Sequence, residues 1–271
     1  MTAAQKAAFE ETKLKKRLYR LMGSAIVDYN MIEDGDTVMV GVSGGKDSYA
    51  LLTLLHGLSQ RAPVSFKLLA VHIDSGFPGH DTTPIIHYLQ KLQVNYILEK
   101  QDIFSILEEK IPAHRPKCSL CGRLRRGILY RLAKEHGISK IALGHHLDDS
   151  IETFFLNLFH TGKIKAMPPK LKTDDGQHIL IRPLAYCREK DLNTYAQQTQ
   201  FPIVHNAYCD RFDNYERARI KQLLKSWEKH HPGRMASITH ALQDVVVSHL
   251  YDRKLYDFLS LAPVSNTDDI D

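Results

Sequence analysis

The sequence predicts an α/β fold: a parallel sheet with helices on both faces, led by an amphipathic helix and followed by a mainly helical extension. Short β-rich apolar runs alternate with segments of helical periodicity through the first 160 residues. Three stretches rich in Gly, His, Ser or Asp, at 43–48, 72–76 and 144–149, each stand directly after such a run. Parallel sheets bind ligands at the carboxyl ends of their strands, so these stretches are where a site is expected.

The elements follow in order. Residues 5–30 place Leu18, Leu21, Met22, Ala25, Ile26 and Tyr29 on one stripe of a helix whose start is crowded by Lys13, Lys15, Lys16, Arg17 and Arg20. Val38, Met39, Val40 and Val42 read as a buried strand, and Ser48 to Leu58 as a helix with Leu51, Leu52, Leu54, Leu55 and Leu58 at helical spacing. "FKLLAVHID" at 66–74 is a second strand, 88–92 lies in a helix, and 94–98 is a third strand. A basic helix at 119–136, a strand at 140–143 and a helix at 148–160 complete the alternation. Beyond 162 come a Pro- and Lys-bearing loop, a short strand at 178–184, a helix near 189–199 and two longer helices near 213–230 and 234–256. The expected division is therefore an N-terminal helix at 1–30, a nucleotide-binding domain at 31–162 and an extension at 163–271 with a disordered acidic tail.

Composition narrows the class. The 271 residues are 43% hydrophobic and 25% charged, which is ordinary for a water-soluble globular protein. No apolar run approaches the ~20 residues of a membrane span, and no short apolar leader opens the chain, so no membrane partner and a cytoplasmic location are expected. The net charge of +5 is unevenly spread: between Lys110 and Lys134 stand eight Lys or Arg and no acid. That run flanks a cysteine pair, which suits a polyanionic partner as well as a solvated helix face.

The loop Ser43-Gly44-Gly45-Lys46-Asp47-Ser48 joins a strand end to a helix start. Glycines let backbone N–H groups approach an oxyanion, the helix N-terminus adds unpaired donors, and Lys46 adds a mobile charge. A Walker A loop would need Gly at 40 and Ser or Thr at 47, where Val40 and Asp47 stand. The stretch resembles instead the pyrophosphatase loop of the ATP α-hydrolase superfamily, which implies a Rossmann-like adenine nucleotide α-hydrolase fold and cleavage of ATP between its α- and β-phosphates. "LGHHLDDSIET" at 143–153 resembles the second signature of these enzymes. Acids at a helix start can simply complement its dipole. Beside a triphosphate, Asp148 can hold Mg2+ and His145 can steady a phosphate oxygen.

Cys118-Ser-Leu-Cys121 is compatible with a redox dithiol, half a zinc site or two ligands of an iron–sulfur cluster. Cys209 offers a third thiolate, and His205 or Cys187 a fourth zinc ligand, so spacing leaves zinc and cluster level.

Taken together, "SGGKDS", "KCSLCGRLRRGILY", "LGHHLDDSIETFFLNLF", "GKIKAMPPK", "IRPLAYCREKDL" and "YCDRFDN" resemble, in this order, the tRNA 2-thiocytidine synthetase family. The resemblance runs from about residue 10 to 258. It implies ATP-dependent thiolation of cytidine 32 in the tRNA anticodon loop: the C2 oxygen is adenylated, and sulfur then displaces AMP. It also implies a 4Fe-4S cluster on Cys118, Cys121 and Cys209 with one iron free for sulfide, a cysteine desulfurase or other sulfur donor, and, by analogy, a homodimer. Cys187 falls outside that cysteine trio and reads as a buried small side chain. On this reading Ser43, Gly44, Gly45, Lys46, Asp47 and Ser48 bind the β- and γ-phosphates, Gly144, His145 and Asp148 complete the ATP–Mg2+ site, and 70–74, with His72 and Asp74, frames the adenine. Lys46, Asp47 and the three cysteines carry the catalytic role. Arg123, Arg125, Arg126 and the N-terminal basic cluster would meet tRNA phosphates, with Lys163 and Lys165 as further contacts; Arg182 is equally suited to an ordinary ion pair. The alternatives are a 2-thiouridine synthetase using a persulfide cysteine or zinc, a lysidine-type ligase, which leaves the cysteines without a task, and a non-catalytic nucleotide- or RNA-binding module.

Overall fold

The computed structural model describes residues 2–112, 115, 117–204 and 215–263. Strands β1 (Thr37–Gly41), β2 (Lys67–Asp74), β3 (Asn95–Lys100), β4 (Lys140–Ala142), β5 (Lys170–Lys172) and β6 (Ile179–Ile181) form one sheet in the order β3-β2-β1-β4-β6-β5. Four pairings are parallel, and β5 runs antiparallel along β6. The helices are α1 (Ala3–Asp28), α2 (Lys46–Ser59), α3 (Thr83–Leu92), α4 (Ile103–Lys110), α5 (Cys118–Glu135), α6 (Leu147–Thr161), α7 (Glu189–Thr199), α8 (Tyr215–His230) and α9 (Arg234–Gln243).

Successive strand residues face opposite sides of the sheet, and each side has its own core. Val38, Val40 and Ala70 pack with Leu18 and Met22 of α1, the leucines of α2, and Leu192 and Tyr195 of α7. Met39, Val71, Ile73 and Ile141 pack with Ile103 and Leu107 of α4 and with Leu129 and Leu132 of α5. Leu51, Leu52, Leu54 and Leu55 are wholly buried, and each such side chain contributes about 1.5–3 kcal/mol of burial energy. The first turn of α2 is thereby held rigidly against the sheet.

After β1 the chain steps outward to β2 and β3, then returns past β1 to β4 and β6. The reversal between neighbouring β1 and β4 opens a crevice at their carboxyl ends. The loop at 42–45 leaves from one strand and the stretch at 143–146 from the other.

Three expectations are corrected. The extension from 163 is not separate from the nucleotide-binding domain, because β6 pairs in parallel register with β4 (Lys140↔Ile179) and α7 enters the core shared by α1 and α2. The compact units are instead Met1–Lys221 and Gln222–Asp271. The helix expected to reach 256 ends at Gln243, before the exposed β-branched run Val245–Val247. The short helix α4 and the three-residue edge strand β5 have no counterpart in the sequence reading. No helix among the described residues is long and apolar enough to cross a membrane. The tail at 265–271 lies outside the described residues.

Candidate active site

The loop after β1 is braced from within. The Ser43 N–H donates to Ser48 Oγ at 3.1 Å, Ser48 Oγ donates to the Gly45 carbonyl at 2.8 Å, and the Gly45 N–H donates to Ser43 Oγ at 3.3 Å. Gly44 has φ +83°, and a Cβ there would stand 3.1 Å from Ile85 Cδ1 and 3.3 Å from Val204 Cβ, so both backbone and space call for glycine. Gly45 caps α2 without a side-chain hydrogen bond, leaving first-turn N–H groups for an anion. The Lys46 ammonium faces Asp47 at 2.8 Å and Glu189 at 3.7 Å, and Glu189 is also held by Lys221 at 2.6 Å.

The second motif is pressed against this loop. A Cβ on Gly144 would lie 3.0 Å from the Asp47 carbonyl carbon and 3.1 Å from Ser48 N, so only glycine permits the contact. His146 and Asp149 form a reciprocal cap on α6: the His146 N–H donates to Asp149 Oδ2 at 3.0 Å, and the Asp149 N–H donates to His146 Nδ1 at 3.3 Å. Asp148 turns away to accept the Glu189 N–H at 2.7 Å and Arg188 Nε at 3.2 Å. His145 is driven down to about 4, first by burial and then by Arg182, so its ring is neutral at pH 7, and its buried Nδ1 has no partner among the described residues.

A cleft of about 820 Å³ opens over these groups. It is lined by Ser43, Asp47 and Ser48 of the loop, by Gly144, His145 and Asp149, and by Gly122, Arg125 and Arg126 of α5. Cys118 and Cys121 stand in the first turn of α5, three apart and hence on one face, both as free thiols. Cys118 is exposed. Cys121 is half-buried; burial raises its thiol pKa, and the field of Arg125 opposes that rise. Cys209 and His205 lie outside the described residues.

Residues 10–227 match the PP-loop domain family. A tRNA-cytidine(32) 2-sulfurtransferase of Nitrosomonas eutropha is 50% identical across 97% of this chain and 84% of its own length. The corresponding protein of Chromobacterium violaceum is 52% identical across 96% of this chain and 81% of its own. The chain belongs to the tRNA-cytidine(32) 2-sulfurtransferase family. It is a transferase built on a PP-loop domain. The U34-tRNA thiolase NcsA from Methanococcus maripaludis, solved with its [4Fe-4S] cluster, has the same fold: TM-score 0.70 and 22% identity over 89% of this chain and 80% of that one.

Within this 2-sulfurtransferase the fold brings Ser43, Asp47, Ser48, Gly144 and His145 into one cleft, with the cysteine-bearing turn at its edge. His72 is buried below it. Its Nδ1 stands 2.8 Å from the Val42 carbonyl, which can only accept, so Nδ1 carries the proton and Nε2 faces His80 Nε2 at 3.5 Å. Asp74 accepts the Gly76 N–H at 3.0 Å and shapes the turn after β2. Cys187 is wholly buried in the core and its thiol is pushed up to about 12 by burial, which suits the packing role. Sequence reasoning missed four members of the site. Asp149, of the acidic pair, is the one that lines the cleft, and Glu189, Arg217 and Lys221 reach the loop and α6 from α7 and α8. For Asp149 a signal existed, since the third residue after a helix cap is where a reciprocal cap is expected. The others come from distant segments and leave no local signature.

Proposed function

We propose that this 2-sulfurtransferase converts cytidine 32 of a tRNA anticodon loop to 2-thiocytidine at the cost of one ATP, in the cytoplasm. The observation that carries the reading is the shared cleft, which is lined both by Ser43, Asp47 and Ser48 of the loop and by Gly122, Arg125 and Arg126 of α5, the stretch that directly follows Cys121. Adenylation and sulfur delivery to one base require the two within reach of one another.

In the first step the cytidine C2 oxygen attacks the α-phosphorus of ATP and the bond to pyrophosphate breaks. The first-turn N–H groups of α2, Lys46 and the loop at 43–48 bind the leaving β- and γ-phosphates. Four carboxylates line the cleft, Asp47, Asp149, Asp174 and Asp175, and of these Asp47 and Asp149, in the loop and at the start of α6, suit a Mg2+ that neutralises those phosphates. Asp148 supports them by fixing α7 against α6. The strand at 70–74, with His72 and Asp74, frames the adenine through its backbone. In the second step a sulfide sulfur attacks C2 and the C2–O bond breaks, so the oxygen leaves in AMP and the base undergoes no net redox change. The donor set at the head of α5 fits an iron–sulfur cluster, because the two thiols share one helix face and the field of Arg125 partly offsets the rise that burial imposes on the Cys121 thiol. A 4Fe-4S cluster, if bound, would be held by Cys118, Cys121 and Cys209 and would supply the sulfide. Sulfur reaches it from a donor such as a cysteine desulfurase with a thiol reductant. An anticodon loop presents the base unstacked more cheaply than a duplex does, and Arg123, Arg125 and Arg126 meet its phosphates.

Anaerobically purified protein incubated with ATP, Mg2+, sulfide and unmodified tRNA should yield 2-thiocytidine, with one pyrophosphate released per base modified, as read by nucleoside mass spectrometry. A thiolated uridine in its place, or pyrophosphate release independent of RNA, would overturn the reading.

A further inference from the structure

Arg182, at the end of β6, lines the cleft, yet only 8% of its surface is exposed and no carboxylate lies within ion-pair distance among the described residues. Its Nη1 donates to the Pro168 carbonyl at 2.5 Å, while its Nε is buried and has no acceptor among the described residues. Guanidinium stays protonated in proteins, and a buried charge without a counter-charge is costly. Burial and the like charge of Arg126 both weaken its hold on the proton, and Asp149 offsets this from a distance. His145 Nδ1, on the same cleft, is a second buried polar atom with no partner. Two arginines and an imidazole nitrogen without a partner among the described residues thus line one cleft, and together they call for an anion.

We propose that Arg182, with Arg126 and His145, is a built site for a phosphate oxyanion, and that this oxyanion belongs to the α-phosphate of the bound nucleotide. The assignment rests on the nucleotide reading given above and deepens it. The loop at 43–48 takes the two outer phosphates. The phosphorus that reacts must then lie in the same cleft, which Arg126 and Arg182 also line. There Arg182 stabilises charge that builds on the α-phosphate oxygens as the C2 oxygen attacks.

Competitive binding of AMP, adenosine and pyrophosphate to the full chain tests this, with Arg182→Gln and Arg182→Lys as variants. Arg182→Gln should weaken AMP at least about tenfold, the size of a charge-assisted hydrogen bond, and leave adenosine and pyrophosphate within about twofold. Arg182→Lys should recover part of the loss. Removal of an unpaired buried charge should not lower the melting temperature, so unfolding of Arg182→Gln, with Arg182→Lys folded but unchanged for AMP, would mark a structural guanidinium and overturn the proposal. A labelled anticodon stem-loop titrated at several salt concentrations separates the other phosphate source. If Arg182→Gln leaves AMP unaffected but flattens the salt dependence for RNA, the partner is a phosphodiester and the α-phosphate assignment fails. Wild-type protein that binds AMP no tighter than adenosine, while still binding pyrophosphate, likewise overturns it without touching the role of the loop.

Discussion

At the loop end of the cleft Lys46 faces Asp47 and Glu189, Lys221 holds Glu189, and Arg188 holds Asp148. At the cysteine end Arg125, Arg126 and Arg182 have no carboxylate within ion-pair distance among the described residues. Both ends are cationic devices, but only the first is neutralised by its own protein. The side chains of Lys46 and Asp47 are about a quarter exposed (25% and 29%), so their pairing is worth at most about 1 kcal/mol, and a phosphate can capture the ammonium cheaply. Self-pairing thus positions the loop before its ligand arrives. At the other end the charge is left over for an anion, and Arg125 opposes the rise that burial imposes on the Cys121 thiol.

The comparison can be broken most sharply at the cysteines. Cys118→Ser should abolish thiolation and reduce bound iron, and because Cys118 is exposed the melting temperature should stay unchanged; full iron content in the variant would remove it from the ligand set. Next in size is Lys46→Ala, expected to slow tRNA-dependent pyrophosphate release on the order of 100-fold or more while iron content stays intact. Gly144→Ala forces a methyl against the backbone of Asp47 and Ser48. It should cost about 1–3 kcal/mol of stability, read by denaturant unfolding, and impair pyrophosphate release beyond what the stability loss explains.

Glu152 sharpens the loop side through pH. Burial lifts its carboxyl to about 7, with Arg217 pulling the other way. A carboxyl raised in the folded state leaves stability intact below its ordinary value of 4.5 and subtracts from it as pH rises through about 7. Wild-type protein should therefore lose up to about 3 kcal/mol relative to Glu152→Gln between pH 4.5 and 8. Paired unfolding curves at the two ends of that range measure the difference, and a constant gap would show that Glu152 stays ionised. His145, near 4, should contribute no step to the activity profile between pH 6 and 8. Smallest of all, Cys187→Ala should cost about 1 kcal/mol, as a minor core truncation does, and leave thiolation and iron untouched; loss of iron would bring this buried thiol into the cluster chemistry.

Much of the fold was legible because its signals are local. A β-rich run, a glycine loop and a leucine-spaced helix predict β1, the loop and α2 with no knowledge of neighbours, and the same holds for α1, α5 and α6. β5 escaped because three residues of Lys-Leu-Lys carry no strand signal of their own and are recruited by the edge of β6. The helix expected to run to 256 failed for the opposite reason, since apolar spacing continued past Gln243 where β-branched valines and exposure favour other conformations.

By itself the sequence determined which residues are candidates for a phosphate site, where along the chain the thiols stand, and that strands alternate with helices, because each follows from residue type and short-range spacing. The tertiary structure alone decided their relations. The reversal of strand order at β1 and β4 presses Gly144 onto the loop, the cap of α6 turns Asp149 rather than Asp148 into the cleft, and the end of β6 buries Arg182 without a counter-charge. Burial and proximity depend on chain segments tens to more than a hundred residues apart, and no pattern along one stretch of sequence encodes them.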